Sequence, residues 1–287
     1  MQQPLLQEQN NLHLDTPMLL NWHDQLPLLS YHLFQSHEHV VNVISTRLGG
    51  VSESPYDTLN LALSTPDNPQ SVLENRRRLC RAAGVALEDI TIGQLVQGLN
   101  IAVVTEEIRG RGALDRAAAL QGTDGLLTNL RNAPLAVLVA DCTVVSYYDP
   151  KHEVIALAHA GWRGTAGLIA SSMVTKMHEV YGSNPEDILI GIGPNMAKDN
   201  FQVRGDVLQA FQASFGDQTD TFFAPQSDGS FLLDLNAALI AQLLASGIQE
   251  EHMEIAGIDT YARTDVFYSH RAEKGKAGRF CGLIALR

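Results

Sequence analysis

A thiol and an imidazole on one face of a hairpin can share a metal ion or act together as nucleophile and base. Cys142 and His159 are spaced for either. Residues 135–148 are apolar and β-branched, Asp149-Pro-Lys-His152 reads as a turn, and residues 153–159 resume the apolar run. With the turn centred between Pro150 and Lys151, residues whose numbers add to 301 face each other, and Cys142 and His159 are such a pair. Facing side chains of antiparallel strands have Cβ atoms roughly 4.5–5.5 Å apart, whereas a one-residue slip would send the two to opposite faces. A lone strand cysteine is more often a core residue than a reactive one. The facing His159, with Asp141 beside the cysteine, is what argues for a site.

Other segments carry groups that could serve the same site. His159-Ala-Gly-Trp-Arg-Gly164 joins a strand to a helix expected to start near Thr165, and its glycines let backbone approach a ligand while the helix start offers N–H groups to an anion. Arg163 is there either to bind that anion or as an exposed loop arginine. Thr46-Arg-Leu-Gly-Gly-Val-Ser52 places Arg47 where it could fork to a phosphate or carboxylate, or simply be solvated. In Gln121-Gly-Thr-Asp-Gly125, Asp124 could orient a ligand hydroxyl or a histidine, although an Asp-Gly turn needs no function. Residues 269–279 concentrate Arg271, Lys274, Lys276 and Arg279, and read as an anion site or a solvated basic loop.

The elements that must position these groups alternate in type. Strands are expected at 40–46, 101–105, 135–148, 154–159, 188–192, 254–258 and 281–286, with helices at 71–83, 167–181, 207–214 and 235–246. The 135–139 and 154–158 runs are apolar on both faces, which requires layers on both sides, and the hairpin makes the sheet at least partly antiparallel. A doubly wound dinucleotide-binding sheet is thereby disfavoured. Residues 1–27, rich in Gln, Asn and Leu, read as a loosely ordered N-terminal arm, and 28–287 as one α/β domain without a linker or repeat.

Composition narrows the class. The 287 residues carry a net charge of -12, from 32 acidic and 20 basic residues, which excludes nucleic acid and anionic membrane as bulk partners while leaving room for a local anion site. Three scattered cysteines form no disulfide framework or zinc ribbon. With neither a signal peptide nor a run approaching about 18 apolar residues, a cytoplasmic protein is expected. Oligomeric state is not legible.

Taken in order, Thr46-Arg-Leu-Gly-Gly-Val-Ser52, Gln121-Gly-Thr-Asp-Gly125, Ala140-Asp-Cys142, His159-Ala-Gly-Trp-Arg-Gly164, Gly191-Ile-Gly-Pro194 and Phe267-Tyr-Ser-His-Arg271 with Gly278-Arg279 resemble the YfiH-type, or laccase-domain, family, also called multicopper polyphenol oxidase-like. The resemblance implies a layered α/β/β/α sandwich with mixed, partly antiparallel sheets, like that of deamidating toxins. It also implies purine nucleoside phosphorylase activity of the FAMIN type, with adenosine deamination in some members, and a zinc bound by one Cys and two His. The Cys maps to Cys142 and one His to His159. The other falls in Gln94-Leu-Val-Gln97-Gly98, where Gln97 replaces the family histidine, and no histidine lies between His39 and His152. An amide oxygen is a weak zinc donor, so zinc is expected to be held loosely, to take a ligand such as His270, or to be lost. Copper oxidase chemistry is disfavoured, since the one His-x-His pair, His37-Glu-His39, precedes the first predicted strand.

The family-like reading makes a purine nucleoside and phosphate the partners. Arg47, Arg163, His270 and Arg271 are the candidates for holding substrate and phosphate, while Asp141 and Asp124 would orient water or a hydroxyl. Two other readings stay open: an amide hydrolase or deamidase with Cys142 as nucleophile and His159 as base, and a nucleoside-binding protein that has lost catalysis.

Overall fold

The computed structural model describes residues 12–23 and 25–287. Two mixed sheets are stacked. The first runs in the order β1 (Leu19–His23), β2 (Leu26–Ser30), β3 (Val40–Ser45), β16 (Phe280–Leu286), β8 (Leu135–Val139), β4 (Thr91–Gln94) and β6 (Leu120–Gln121). The second runs β15 (Met253–Ile255), β11 (Leu189–Ile192), β9 (Thr143–Asp149), β10 (Val154–Ala160), β7 (Gly125–Thr128) and β5 (Ile101–Val103). A small third sheet, β12 (Gln202–Val203), β14 (Phe231–Leu233) and β13 (Phe223–Pro225), is separate in its strand pairing, and its Val203, Phe223 and Leu233 join the core on the outer face of the second.

Alternate residues of the double-sided strands separate into different cores, as a period of two demands. Val144, Tyr148, Ile155 and Leu157 pack against Val137, Val139, Ile44 and Ile284 between the two sheets. Val145, Tyr147, Ala156 and Ala158 point the other way, under α3 (Ile169–Tyr181) and α5 (Leu235–Ala245), with Phe211 of α4 (Gly205–Phe215) in the same cluster. On the outer face of the first sheet, Cys281, Leu283 and Ala285 meet Leu79, Cys80 and Ala83 of α1 (Pro69–Ala83). Three cores between four layers make the α/β/β/α sandwich. α1 begins at the Asn68 cap, whose side chain accepts the Gln70 N–H, with Pro69 in its first turn, and ends at Gly84 in the left-handed region.

Three sequence expectations change in ways that matter for the site. The run 135–148 is two strands rather than one: it breaks at residues 140–142, where Asp141 adopts φ 75°, and β8 and β9 enter different sheets. The β9–β10 register pairs His159 with Val144, two residues away from the expected Cys142, because the connection uses four residues, 150–153. An even shift preserves the face, so Cys142 remains diagonal to His159 on the inter-sheet side. The helix expected at 167–181 is α3, and a separate short helix, α2 (Trp162–Ala166), starts after Gly161 and precedes it, with Leu168 at φ 68° between them. Residues 19–23, placed in the N-terminal arm by composition, form β1 and pair with β2; residues 1–11 of that arm lie outside the described residues.

Candidate active site

The break between β8 and β9 brings Cys142 to a corner where both sheets meet. Its neighbour Asp141 makes that corner: Oδ1 accepts the Thr260 hydroxyl at 2.9 Å and Oδ2 accepts the Arg271 backbone N–H at 2.7 Å. A non-glycine residue in the left-handed region is uncommon and needs such fixing. The Asp141 carboxylate thus ties Thr260 and the 269–273 loop to the cysteine through its two oxygens.

His159, near the end of β10, is buried and clamped from behind, its Nδ1 lying 2.7 Å from Asp124 Oδ1. That bond leaves Nε2 for the cavity that Cys142 also lines. Burial alone would lower the imidazole pKa, but the neighbouring Cys142 and the Asp124 carboxylate outweigh it and push it up to about 9. Asp124 does a second job. Its Oδ2 accepts the N–H groups of Val96 and Gly98, at 3.1 and 2.9 Å, and its Oδ1 that of Gln97 at 2.9 Å, fixing a loop in which Gln97 has φ 59°. Burial would raise this carboxyl's pKa, yet the bonds from His159, Gly98 and Val96 hold it below the usual carboxylate value.

Gln97, Cys142 and Gly161 converge. A Cβ placed on Gly161 would lie 3.0 Å from Cys142 Sγ and 3.6 Å from Gln97 Oε1, so glycine leaves the thiol room that a side chain would crowd. Gln97 Oε1 accepts a hydrogen bond from Arg163 Nη1 at 3.2 Å, and the Arg163 guanidinium lies over the Trp162 ring, 4.1 Å from its centroid. Arg163 therefore acts on the Gln97 loop.

Cys142, His159, Gln97 and His270 open on a cavity of about 350 Å³ whose other polar side chains are Ser64, Gln94 and three arginines, Arg76, Arg116 and Arg279. Among the described residues no carboxylate lines it. Arg76 is buried, and its Nε and Nη1 donate to the carbonyls of Leu61, Gly112 and Ala113 at 2.6–2.8 Å. Burial lowers its pKa to about 10, which leaves it charged near neutral pH. Arg279 is tethered to the carbonyls of Ala277 and Gly278, and burial lowers its pKa as well. Arg279 belongs to the basic 269–279 segment read from sequence as an anion site or a solvated loop, whereas Arg76 was not singled out. Arg76 could have been, because it shares the apolar stripe of α1 with Val72, Leu79 and Ala83.

Of the expected anion binders, Arg47 is elsewhere. It is buried under Asp57, Glu273 and the Thr264 carbonyl, with its guanidinium 4.5 Å from the Tyr268 ring centroid. Arg271 lines a second, smaller cavity with Trp162, Met196, Phe201 and Leu235. Lys274 and Lys276 line neither.

These features place the chain in a known class. Residues 41–287 match the family described as multi-copper polyphenol oxidoreductase laccase, and the chain belongs to that family. Among its relatives, the purine nucleoside phosphorylase YlmD of Bacillus subtilis is 32% identical over 88% of this chain and 91% of the relative. The adenosine deaminase RL5, from an unknown prokaryotic organism, is 32% identical over 72% of this chain and 79% of the relative. The crystal structure of YlmD from Geobacillus stearothermophilus superposes with a TM-score of 0.89 at 32% identity, covering 94% of this chain and 100% of that one.

The zinc implied by the resemblance does not fit the donors present. Cys142 and His159 supply two good ligands, but the third position holds an amide whose oxygen faces a guanidinium N–H. A cation beside that oxygen opposes a second cation on it. Among the described residues no three His, Cys, Asp or Glu side chains are grouped to hold a metal ion, and several coppers fit still less.

Proposed function

We propose that this chain is a purine nucleoside phosphorylase. The observation that carries the reading is a cavity lined by three arginines and, among the described residues, no carboxylate, in a protein of net charge -12, opening directly on Cys142, His159 and His270. Such a cavity selects a small anion. Arg76 and Arg279, tethered by carbonyls that do not neutralise them, hold phosphate without having to rearrange. A phosphate oxygen then forms a bond to C1′ of the nucleoside, the C1′–N9 bond breaks, and its electron pair leaves with the purine, which takes up a proton. His270, exposed on the rim, is placed to supply it. No step passes through a metal. The relatives named as phosphorylases support the reaction, the one named as an adenosine deaminase supports water as an alternative attacking group, and three free cysteines fit a cytoplasmic setting.

The test is incubation of the purified chain with inosine or adenosine, with and without phosphate. Phosphate-dependent release of free base and ribose 1-phosphate is expected. Absence of base at high enzyme concentration overturns the reading, and ammonia release without base would assign deamination instead.

One observation favours a second reading. Asp124 is hydrogen-bonded to His159, and Cys142 lines the same cavity as that imidazole, the set of a thiol nucleophile, its base and the group that orients the base. Rapid alkylation of Cys142, together with hydrolysis of a glutamine amide substrate, would support it.

A further inference from the structure

Two cavities share one wall. The arginine-lined cavity and the smaller one meet at Ala140, Cys142 and His270 and have little else in common. Their linings differ: the larger holds three arginines beside apolar Leu63, Ile92, Leu95 and Val139, and the smaller has Arg271 alone, at its edge. The smaller is built from Trp162, Met196, Phe201 and Leu235, and of these only Trp162 is more than marginally accessible. The carboxylate on its wall, Asp141, has both oxygens taken by Thr260 and the Arg271 N–H. Arg271 is the cation at its edge, with its guanidinium 5.9 Å from the Phe201 ring centroid.

Phosphorolysis requires this kind of division, because the attacking oxygen and the departing nitrogen stand on opposite sides of C1′. A phosphate placed among Trp162, Met196 and Leu235 would lose its hydration without enough partners. A neutral, flat base among three guanidinium groups would leave their charges unanswered. We infer that the smaller cavity is the purine-base subsite, with the base against the Trp162 indole and the ribose crossing the Cys142–His270 wall to meet phosphate in the arginine cavity. The inference rests on the proposed phosphorolysis but makes a separable claim about where the base sits. Arg163 covers one face of the Trp162 ring, which holds the indole in place as a platform. An apolar cleft with a stacking ring and one cation at its edge suits a heterocycle with a hydrogen-bonding rim.

The experiment compares wild type with Trp162→Ala, Trp162→Phe and Arg76→Met, measuring KM separately for inosine and phosphate and calorimetric binding of hypoxanthine alone. Trp162→Ala should raise the inosine KM about tenfold or more and leave the phosphate KM within about twofold. Trp162→Phe should recover most of the loss, which a general disturbance of the fold would not. Arg76→Met should do the converse. Equal shifts of both KM values in Trp162→Ala, or none, overturn the assignment. If wild type releases no base at all, hypoxanthine binding that is lost in Trp162→Ala and kept in Trp162→Phe still upholds the subsite, while phosphorolysis falls. No hypoxanthine binding in that inactive protein overturns the subsite as well.

Discussion

One carboxylate, Asp124, holds His159 and the Gln97 loop together: Oδ1 lies 2.7 Å from His159 Nδ1 and 2.9 Å from the Gln97 backbone nitrogen. The strand bearing the histidine and the loop bearing the glutamine are distant in sequence, and this buried group fixes both. Asp124→Asn would keep the shape but turn an NH2 toward groups that are themselves donors. It should cost about 1–3 kcal/mol of stability for the buried donors left unpaired. Because His159 then loses its orientation, base release should fall at least tenfold. Urea unfolding and initial rates measure the two effects, and an Asn variant with unchanged rate would remove the site from around His159.

Gln97→His tests the metal argument apart from activity. The variant puts an imidazole on the loop that Asp124 already fixes, beside Cys142 and His159, completing a three-ligand set. After dialysis against zinc and then buffer, elemental analysis should find about one zinc per chain in Gln97→His and far less in wild type. Stoichiometric zinc in wild type would show that the amide, or a ligand such as His270, suffices.

Arg76 should matter twice. Arg76→Met removes a buried cation from the anion cavity and leaves the Leu61, Gly112 and Ala113 carbonyls short of donors, so the phosphate KM should rise about tenfold while stability falls by about 1–3 kcal/mol. Arg76→Lys keeps the charge but cannot reproduce the fork, and should recover part of the phosphate affinity without the stability. A phosphate KM unchanged in both would move the anion elsewhere.

The layering and the meeting of Cys142 with His159 are legible in sequence because period-two apolar runs and the motifs around the cysteine are local signals. The register is less so. A turn of two residues or four leaves the same pattern, and only the even shift saved the shared face. The corner at Asp141 is not legible, since the left-handed conformation there is imposed by Thr260 and Arg271, more than a hundred residues away. Arg76 stands in a run with Arg77 and Arg78 that reads as a solvated basic face, and only its place on the α1 stripe sets it apart. Arg47 is a different case: sequence left a phosphate, a carboxylate or solvent open as its partner, and the fold supplies the carboxylates of Asp57 and Glu273.

Gly161→Ala isolates the space around the thiol. The Gly161 backbone, at φ −79° and ψ 172°, suits any residue, so alanine introduces no backbone strain. Its methyl would sit 3.0 Å from Cys142 Sγ, so the thiol must give way by a few tenths of an ångström, while the Gln97 side chain at 3.6 Å stays in ordinary contact. Because Gly161 faces the corner between the sheets, where the cavities adjoin, the displacement falls on the site and leaves the cores untouched. The thermal midpoint should change by no more than a few degrees while base release falls about tenfold or more, as expected when a group at the reacting centre shifts by a fraction of an ångström to an ångström. Full activity in this variant would mean that Cys142 can give way without consequence, and would take the thiol out of the reaction.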